Sequence, residues 1–332
     1  MTNQQPLLPD PPAGERTVVD TPAALSLAAG LIASAPSLAL DVEADKPRGA
    51  DATVAALIQI AAPGRTWLVD PLRLSGRLQE LDDAFHAARA PAVALFDAAG
   101  DVRWLEAAGI HLPAVTDLLQ VTRSAYGESD KSLREALRRH FRVALDKSGQ
   151  QADWLARPIP GPLRHYAARD AELTLALAGR YAELFPTLMA LHTYPGGRAP
   201  IPDDLPSWLR RVLAGHRAPA YELAAEDGLP VDEDASIPPL IDGANRGLDE
   251  VRVPWQHARV YRAIANLELT ELAPRIADGL GAVCAVERAA AARALGELRA
   301  EEYAGALVAA QSDSVPDVAR AATRALESLQ QE

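Results

Sequence analysis

A chain of 332 residues is long enough for two domains and a sizeable core, and its 48% hydrophobic and 23% charged residues suit a soluble globular protein rather than a disordered or fibrous one. The net charge of −12 weighs against a polyanionic partner, and a single cysteine, Cys284, excludes an intramolecular disulfide framework and a Cys-based zinc cluster. No uncharged apolar run is long enough to cross a membrane, and the lone cysteine suits a reducing cytoplasm.

The charge is unevenly spread. Residues 121–180 carry eleven Lys and Arg against seven Asp and Glu, whereas residues 201–250 carry four against eleven. An anionic substrate would therefore meet the first stretch.

Residues 1–16 are polar and Pro-rich with no apolar signal core, so the expectation is a disordered tail, not a targeting segment. Thr17 to Asp20 reads as a short strand, and Thr21 caps a helix from Pro22 to Gly30. In Leu38-Ala39-Leu40-Asp41-Val42-Glu43 the apolar residues alternate with Ala39, Asp41 and Glu43. Period-two alternation sends Leu38, Leu40 and Val42 into a core and both carboxylates to the other face. Thr53 to Ala61 and Thr66 to Val69 read as two further strands joined by the Pro63-Gly64 turn, an antiparallel start to a sheet. Leu72 to Ala90 is expected to be helical, Ala92 to Phe96 a fourth strand, and a helix starts near Asp101. This alternation predicts an α/β domain.

From Val115 to Phe185 the pattern is mostly helical, with Ser132 capping a helix that bears Arg134, Arg138, Arg139 and Arg142, and a long helix from Leu163 to Leu184. Tyr194-Pro195-Gly196-Gly197 closes the domain with turn chemistry. Residues 194–255, acidic and Pro-rich in places, are expected to form a linker and cap with one helix at Ser207 to Leu213. The remainder repeats: Ala263-Ile264-Ala265-Asn266-Leu267 recurs 31 positions later as Ala294-Leu295-Gly296-Glu297-Leu298, and again as Ala325-Leu326-Glu327-Ser328-Leu329. Leu272 and Tyr303 keep the same spacing. Two-helix units of this length stack into α-solenoids, and the Ala-Leu-Gly pattern resembles HEAT-like repeats over 256–332.

Two carboxylates leaving one strand face two residues apart repel each other and call for protonation, basic neighbours or metal ions. Asp101 follows a strand and opens a helix; Tyr166 and Asp170, at i and i+4, share a helix face. Hard divalent cations take oxygen ligands, and four carboxylates suffice for two ions about 3.5–4 Å apart, the arrangement that clamps the attacking and leaving oxygens of a phosphodiester.

On these residues the sequence resembles the DEDD superfamily of 3′→5′ exonucleases, in its DEDDy branch, and most closely ribonuclease D. Asp41-Val42-Glu43 matches the first motif, Asp101 the second, and Tyr166-x-x-x-Asp170 the third. Leu57-Ile58-Gln59-Ile60, Trp67-Leu68-Val69-Asp70-Pro71 and Asp153-Trp154-Leu155-Ala156-Arg157-Pro158 extend the match over about residues 17–190, within an expected exonuclease domain of residues 17–193. The resemblance implies a mixed-sheet, ribonuclease H-like exonuclease domain followed by an all-α repeat domain. It also implies two Mg²⁺ or Mn²⁺ ions. Asp41 would bridge them, Glu43 and Asp170 would complete the first, Asp101 would hold the second, and Tyr166 would orient the attacking water. Candidates for the nucleic-acid backbone are Arg134, Arg138, Arg139, Lys147 and Arg157. The family commonly has His where this chain has Phe96, and ribonuclease D carries HRDC domains where this chain has its repeats. The implied activity is release of nucleoside 5′-monophosphates from the 3′ end of RNA. Alternatives are DNA 3′ ends in repair, or a silent module that binds nucleic acid or protein, with the repeats holding a protein partner. Trp154 and the other tryptophans, His165 and Cys284 read as structural.

Overall fold

A computed structural model of the chain describes residues 7–128, 132–143, 149 and 152–330. They fall into two compact units, residues 7–121 with 132–198, and residues 122–128 with 199–330, over the described positions.

The first unit is built on a seven-stranded mixed sheet. In chain order its elements are β1 (Glu15–Val19), α1 (Pro22–Ser34), β2 (Leu38–Asp45), β3 (Val54–Ala62), β4 (Arg65–Val69), α2 (Gln79–His86), β5 (Val93–Leu95), α3 (Ala98–Ala107), β6 (Ala114–Asp117), α4 (Leu118–Tyr126), α5 (Leu133–His140), α6 (Gly161–Leu184), α7 (Pro186–Leu191) and β7 (Thr193–Pro195). The last turns of α4 cluster with the second unit. The strand order is β1-β4-β3-β2-β5-β6-β7. The β2-β3-β4 meander is antiparallel as expected, β1 joins β4 in parallel, and β5 and β6 continue parallel from β2.

Alternation along β2 does what its sequence dictates. Leu38, Leu40 and Val42 enter a core with Leu25 and Ile32 of α1, Leu81 and Phe85 of α2, and Val102 and Leu105 of α3. The opposite face of the sheet is covered by α6, whose Tyr166, Ala167 and Ala168 pack with Leu57, Leu68 and Trp154. Trp154 is thus core, and no helix among the described residues is long and apolar enough to cross a membrane.

Several expectations need correction. Residues 7–16 are not a loose tail. Leu8 exchanges backbone hydrogen bonds with His140 and Arg142, and β1 starts at Glu15. Arg16 donates from Nε and Nη2 to the two Glu172 oxygens at 2.8 Å each, which ties β1 to α6. Residues 72–78 are turns, so the helix expected from Leu72 is only α2. The stretch from Val115, read as helical, begins with strand β6.

The fourth correction concerns Arg157, expected on the nucleic acid. Its guanidinium is spent inside the fold. Nε and Nη2 donate to Asp70 Oδ2 and Oδ1 at 2.6 and 3.1 Å, Nη2 also to Ala56 O at 2.7 Å, and Nη1 to Trp154 O and Ala156 O at 2.7 and 3.0 Å. Every N–H of the fork has an acceptor, which leaves none for a phosphate.

In the second unit the supposed linker is helical: α8 (Ser207–Leu213), α9 (Ala220–Glu226) and α10 (Ile237–Glu250). Trp208, Leu223 and Leu240 are fully buried in one core with Ile264 and Leu295 of the repeats. The repeats follow as α11 (Pro254–Asn266), α12 (Ala273–Asp278), α13 (Ala285–Glu297), α14 (Ala304–Ala310) and α15 (Pro316–Leu329). The starts of α11, α13 and α15 are 31 residues apart, and so are those of α12 and α14. The backbone obeys the same period: Glu268 and Arg299 both turn left-handed, with φ 54° and 52°. Leu269 N then donates to Ile264 O, and Ala300 N to Leu295 O, at 3.1 Å in each unit. At Gly296 the helices touch: a Cβ there would stand 2.6 Å from Cα of Ala325.

Breaking the Asp70–Arg157 pair leaves a buried carboxylate uncompensated. Arg157→Ala is expected to destabilise the chain by about 3–5 kcal/mol, read as a lowered midpoint in urea unfolding.

Candidate active site

The site gathers at the carboxyl ends of the parallel strands β2 and β5, where α/β sheets open a crevice. Asp41 and Glu43 leave β2 toward α6, and a bulge follows Glu43, where the register with β3 shifts. Bulges twist a strand and re-aim its side chains, which suits a strand end that presents ligands. From α6 come Tyr166 and Asp170, one turn apart. This 24-residue helix runs without a break because Pro162 sits in its first turn and its interior is rich in Ala and Leu.

One carboxylate oxygen each of Asp41, Glu43 and Asp170 lies within 4.8 Å of the others. Asp41 and Glu43 are half-buried and Asp170 buried. Asp101 stands in the first turn of α3, buried, close enough for the charges of Asp41 and Glu43 to act on it. The sequence-predicted acids thus converge from β2, α3 and α6, with Tyr166 beside them.

Their electrostatics are those of a site short of positive charge. Burial pushes the Glu43 carboxyl up to about 9, and the charges of Asp41 and Asp170 add to it. Asp101 is pushed up to about 9 by burial and by Asp41, Asp97, Glu43 and Asp117. Burial raises Asp41 to about 6, opposed by a hydrogen bond from the backbone of Val42. Each charged neighbour that shifts these groups is another carboxylate. The Tyr166 hydroxyl is held well above the usual phenol range by burial and by Asp170 and Glu43, and it donates to Asp170. An all-oxygen donor set with a deficit of positive charge fits hard divalent cations.

Two acids escaped the sequence reading. Asp97 stands at the N-cap position of α3 in the left-handed region, φ 65°, and Asp117 ends β6. The Asp117 carboxylate accepts from the N–H groups of Leu119 and, at longer range, Gln120, and is raised to about 6 by burial and by Asp97. With β6 read as helix, nothing marked Asp117 as a strand-end residue. Gly149 also went unnoticed: a Cβ there would lie 2.6 Å from Cγ of Tyr166, so the chain lies directly on that ring.

Of the basic candidates, Arg138 and Arg139 are exposed on α5 and Arg134 is half-buried. Lys147 lies outside the described residues. His165 is exposed, with Nδ1 2.6 Å from Arg16 Nη1, and Cys284 is buried in the second unit, its thiol pushed up to about 11 by burial.

Compared with known proteins, residues 17–183, about half of the chain, match the 3′-5′ exonuclease family model DNA_pol_A_exo1. The chain belongs to this 3′-5′ exonuclease family. The chain also resembles the exosome complex component 10 homolog of Drosophila melanogaster, 28% identical over 195 residues, or 58% of this chain and 21% of that protein. The chain therefore spans about a fifth of that relative's length. Among solved structures, the catalytic core of RRP6 from Trypanosoma brucei shares the fold, with a TM-score of 0.50 and 17% identity over 98% of this chain and 82% of that one. Escherichia coli RNase D aligns with a TM-score of 0.47 and 18% identity, over 95% of this chain and 74% of that one.

The raised carboxyls of this site give a signed expectation. Unfolded, Glu43 loses its proton near 4.5; folded, it keeps it up to about 9. Its contribution to stability is therefore full below 4.5 and lost as the pH rises to 9. In chelator at pH 8, Glu43→Gln is expected to raise Tm by about 2–4 °C for each kcal/mol of strain removed. Scanning calorimetry across pH checks this, the variant showing the flatter profile.

Proposed function

We propose that this chain is a metal-dependent exonuclease of the DEDDy type that removes nucleoside 5′-monophosphates from RNA 3′ ends. The observation that carries the proposal is the convergence of Asp41, Glu43 and Asp170 oxygens within 4.8 Å, with Asp101 and Tyr166 alongside. The choice of RNA draws on the likeness to an exosome component homolog.

Asp41, Glu43, Asp101 and Asp170 would hold the cations, Asp41 contributing to both, Glu43 and Asp170 to the first and Asp101 to the second. Bound there, Mg²⁺ or Mn²⁺ supplies the Lewis acidity and countercharge that phosphodiester hydrolysis needs. Tyr166 keeps its proton because it is buried and carboxylates surround it, and its hydroxyl, steadied by Asp170, would orient the attacking water in line with the terminal phosphorus. Gly149 and Trp154, whose ring centroid is 6.2 Å from that of Tyr166, hold the phenol ring. The exposed Arg138 and Arg139, with Arg134 and Lys147, are assigned to the backbone of the nucleic acid. The 31-residue units are read as HEAT-like repeats that hold a protein partner or lengthen the substrate groove, and the protein is assigned to the cytoplasm.

The test is release of mononucleotides from 3′-tailed RNA and from single-stranded DNA, with Mn²⁺ or Mg²⁺. The native chain is expected to act on RNA with the higher kcat/KM, and Asp41→Ala to release nothing detectable. Equal release by Asp41→Ala removes the site assignment; preference for DNA removes the substrate.

Tyr166→Phe is expected to lower kcat by about 10²–10⁴-fold at little change in KM. Gly149→Ala, whose methyl displaces the same ring, lowers kcat as well, and the double variant is no slower than Tyr166→Phe alone. Single-turnover rates on a 3′-labelled RNA read this out.

A further inference from the structure

On the α6 side of the sheet, β3 buries one amide that its surroundings do not satisfy. Gln59 is 0% exposed. Its Oε1 has no hydrogen-bond partner among the described residues, and its Nε2 makes one long contact, 3.4 Å, to Leu57 O on the same strand. Its flanking neighbours on that face, Leu57 and Ala61, are apolar. A buried polar group left unpaired costs stability that an apolar side chain of the same size avoids, so packing alone gives no reason for an amide here.

The register supplies one. Gln59 is the cross-strand partner of Asp41. Directly opposed residues of an antiparallel pair share a sheet face, with Cβ atoms about 4.5–5.5 Å apart. The amide therefore lies behind the carboxylate assigned to face both cations, on the face that α6 covers with Tyr166 and Asp170.

We propose that Gln59 is a positioning residue for Asp41, an inference that rests on the reading of Asp41 as a cation ligand. The carboxamide would donate an N–H to an Asp41 carboxylate oxygen and so fix the orientation of that side chain for a cation held there. A carboxamide suits the task because it is neutral, so it adds nothing to the crowd of like charges, and it carries two donors. Ligating carboxylates commonly depend on such outer partners, whose loss costs about 10–100-fold in metal affinity or activity.

The experiment uses the full chain without nucleic acid. Mn²⁺ is titrated by calorimetry into the native protein and into Gln59→Leu, Gln59→Met and Asp41→Ala, and each is melted in chelator. Both Gln59 variants keep the volume and remove the donors. Supporting the inference, they melt at or above the native Tm in chelator, bind Mn²⁺ about 10–100-fold more weakly, and lose kcat on RNA with KM little changed. Two results overturn it: native Mn²⁺ affinity in both variants, or a Tm in chelator well below native in both, which makes Gln59 a packing residue. If Asp41→Ala binds Mn²⁺ as the native chain does, the cation site itself falls and the inference with it.

Discussion

Mutual repulsion of carboxylates is the constraint around which the first unit is built. Asp41, Glu43, Asp101 and Asp170 arrive from β2, α3 and α6, and no two of these elements adjoin in the chain. Holding them together takes the rest of the fold. One face of β2 is sealed by α1, α2 and α3, which fixes the strand and leaves its acidic face no freedom to turn away. The other face is pinned by α6, itself anchored to β1 by the bidentate Arg16–Glu172 pair. Packing on both sides thus opposes a repulsion that countercharge alone would relieve.

What the sequence makes legible is what is local. Two-residue alternation locates β2 and the face its acids take, and the i, i+4 spacing of Tyr166 and Asp170 places them on one helix face, because each needs only neighbouring residues to define it. Where tertiary contacts decide, the reading fails. β6 is four residues long, too short to show a period, and it exists because β5 and β7 flank it. Asp70 and Arg157 stand 87 positions apart, and nothing local announces their pairing. In the region read as a linker the prolines misled. Pro206 and Pro219 stand just before α8 and α9, and α10 and α11 carry proline in their first turns, where its missing N–H costs nothing. These prolines begin helices.

Arg157 and Gln59 show two ways in which this sheet treats a polar side chain taken from water. The guanidinium is fully paired, so it belongs to the architecture, and its removal strands Asp70. The carboxamide is left with an idle oxygen, a deficiency worth about 1–3 kcal/mol in typical proteins. The register sets Gln59 opposite Asp41, the carboxylate it is proposed to orient.

The second unit has a different logic. Because its backbone returns to the same conformation every 31 residues, Val253, Cys284 and Val315 are equivalent junctions, each in extended conformation just before a helix. A segment cut at one such junction and rejoined at another meets a neighbour of the shape it left. The array is therefore free to lengthen or shorten in evolution by whole modules through unequal recombination, while the nuclease sheet, whose acids depend on three separate elements, has no seam at which to do so.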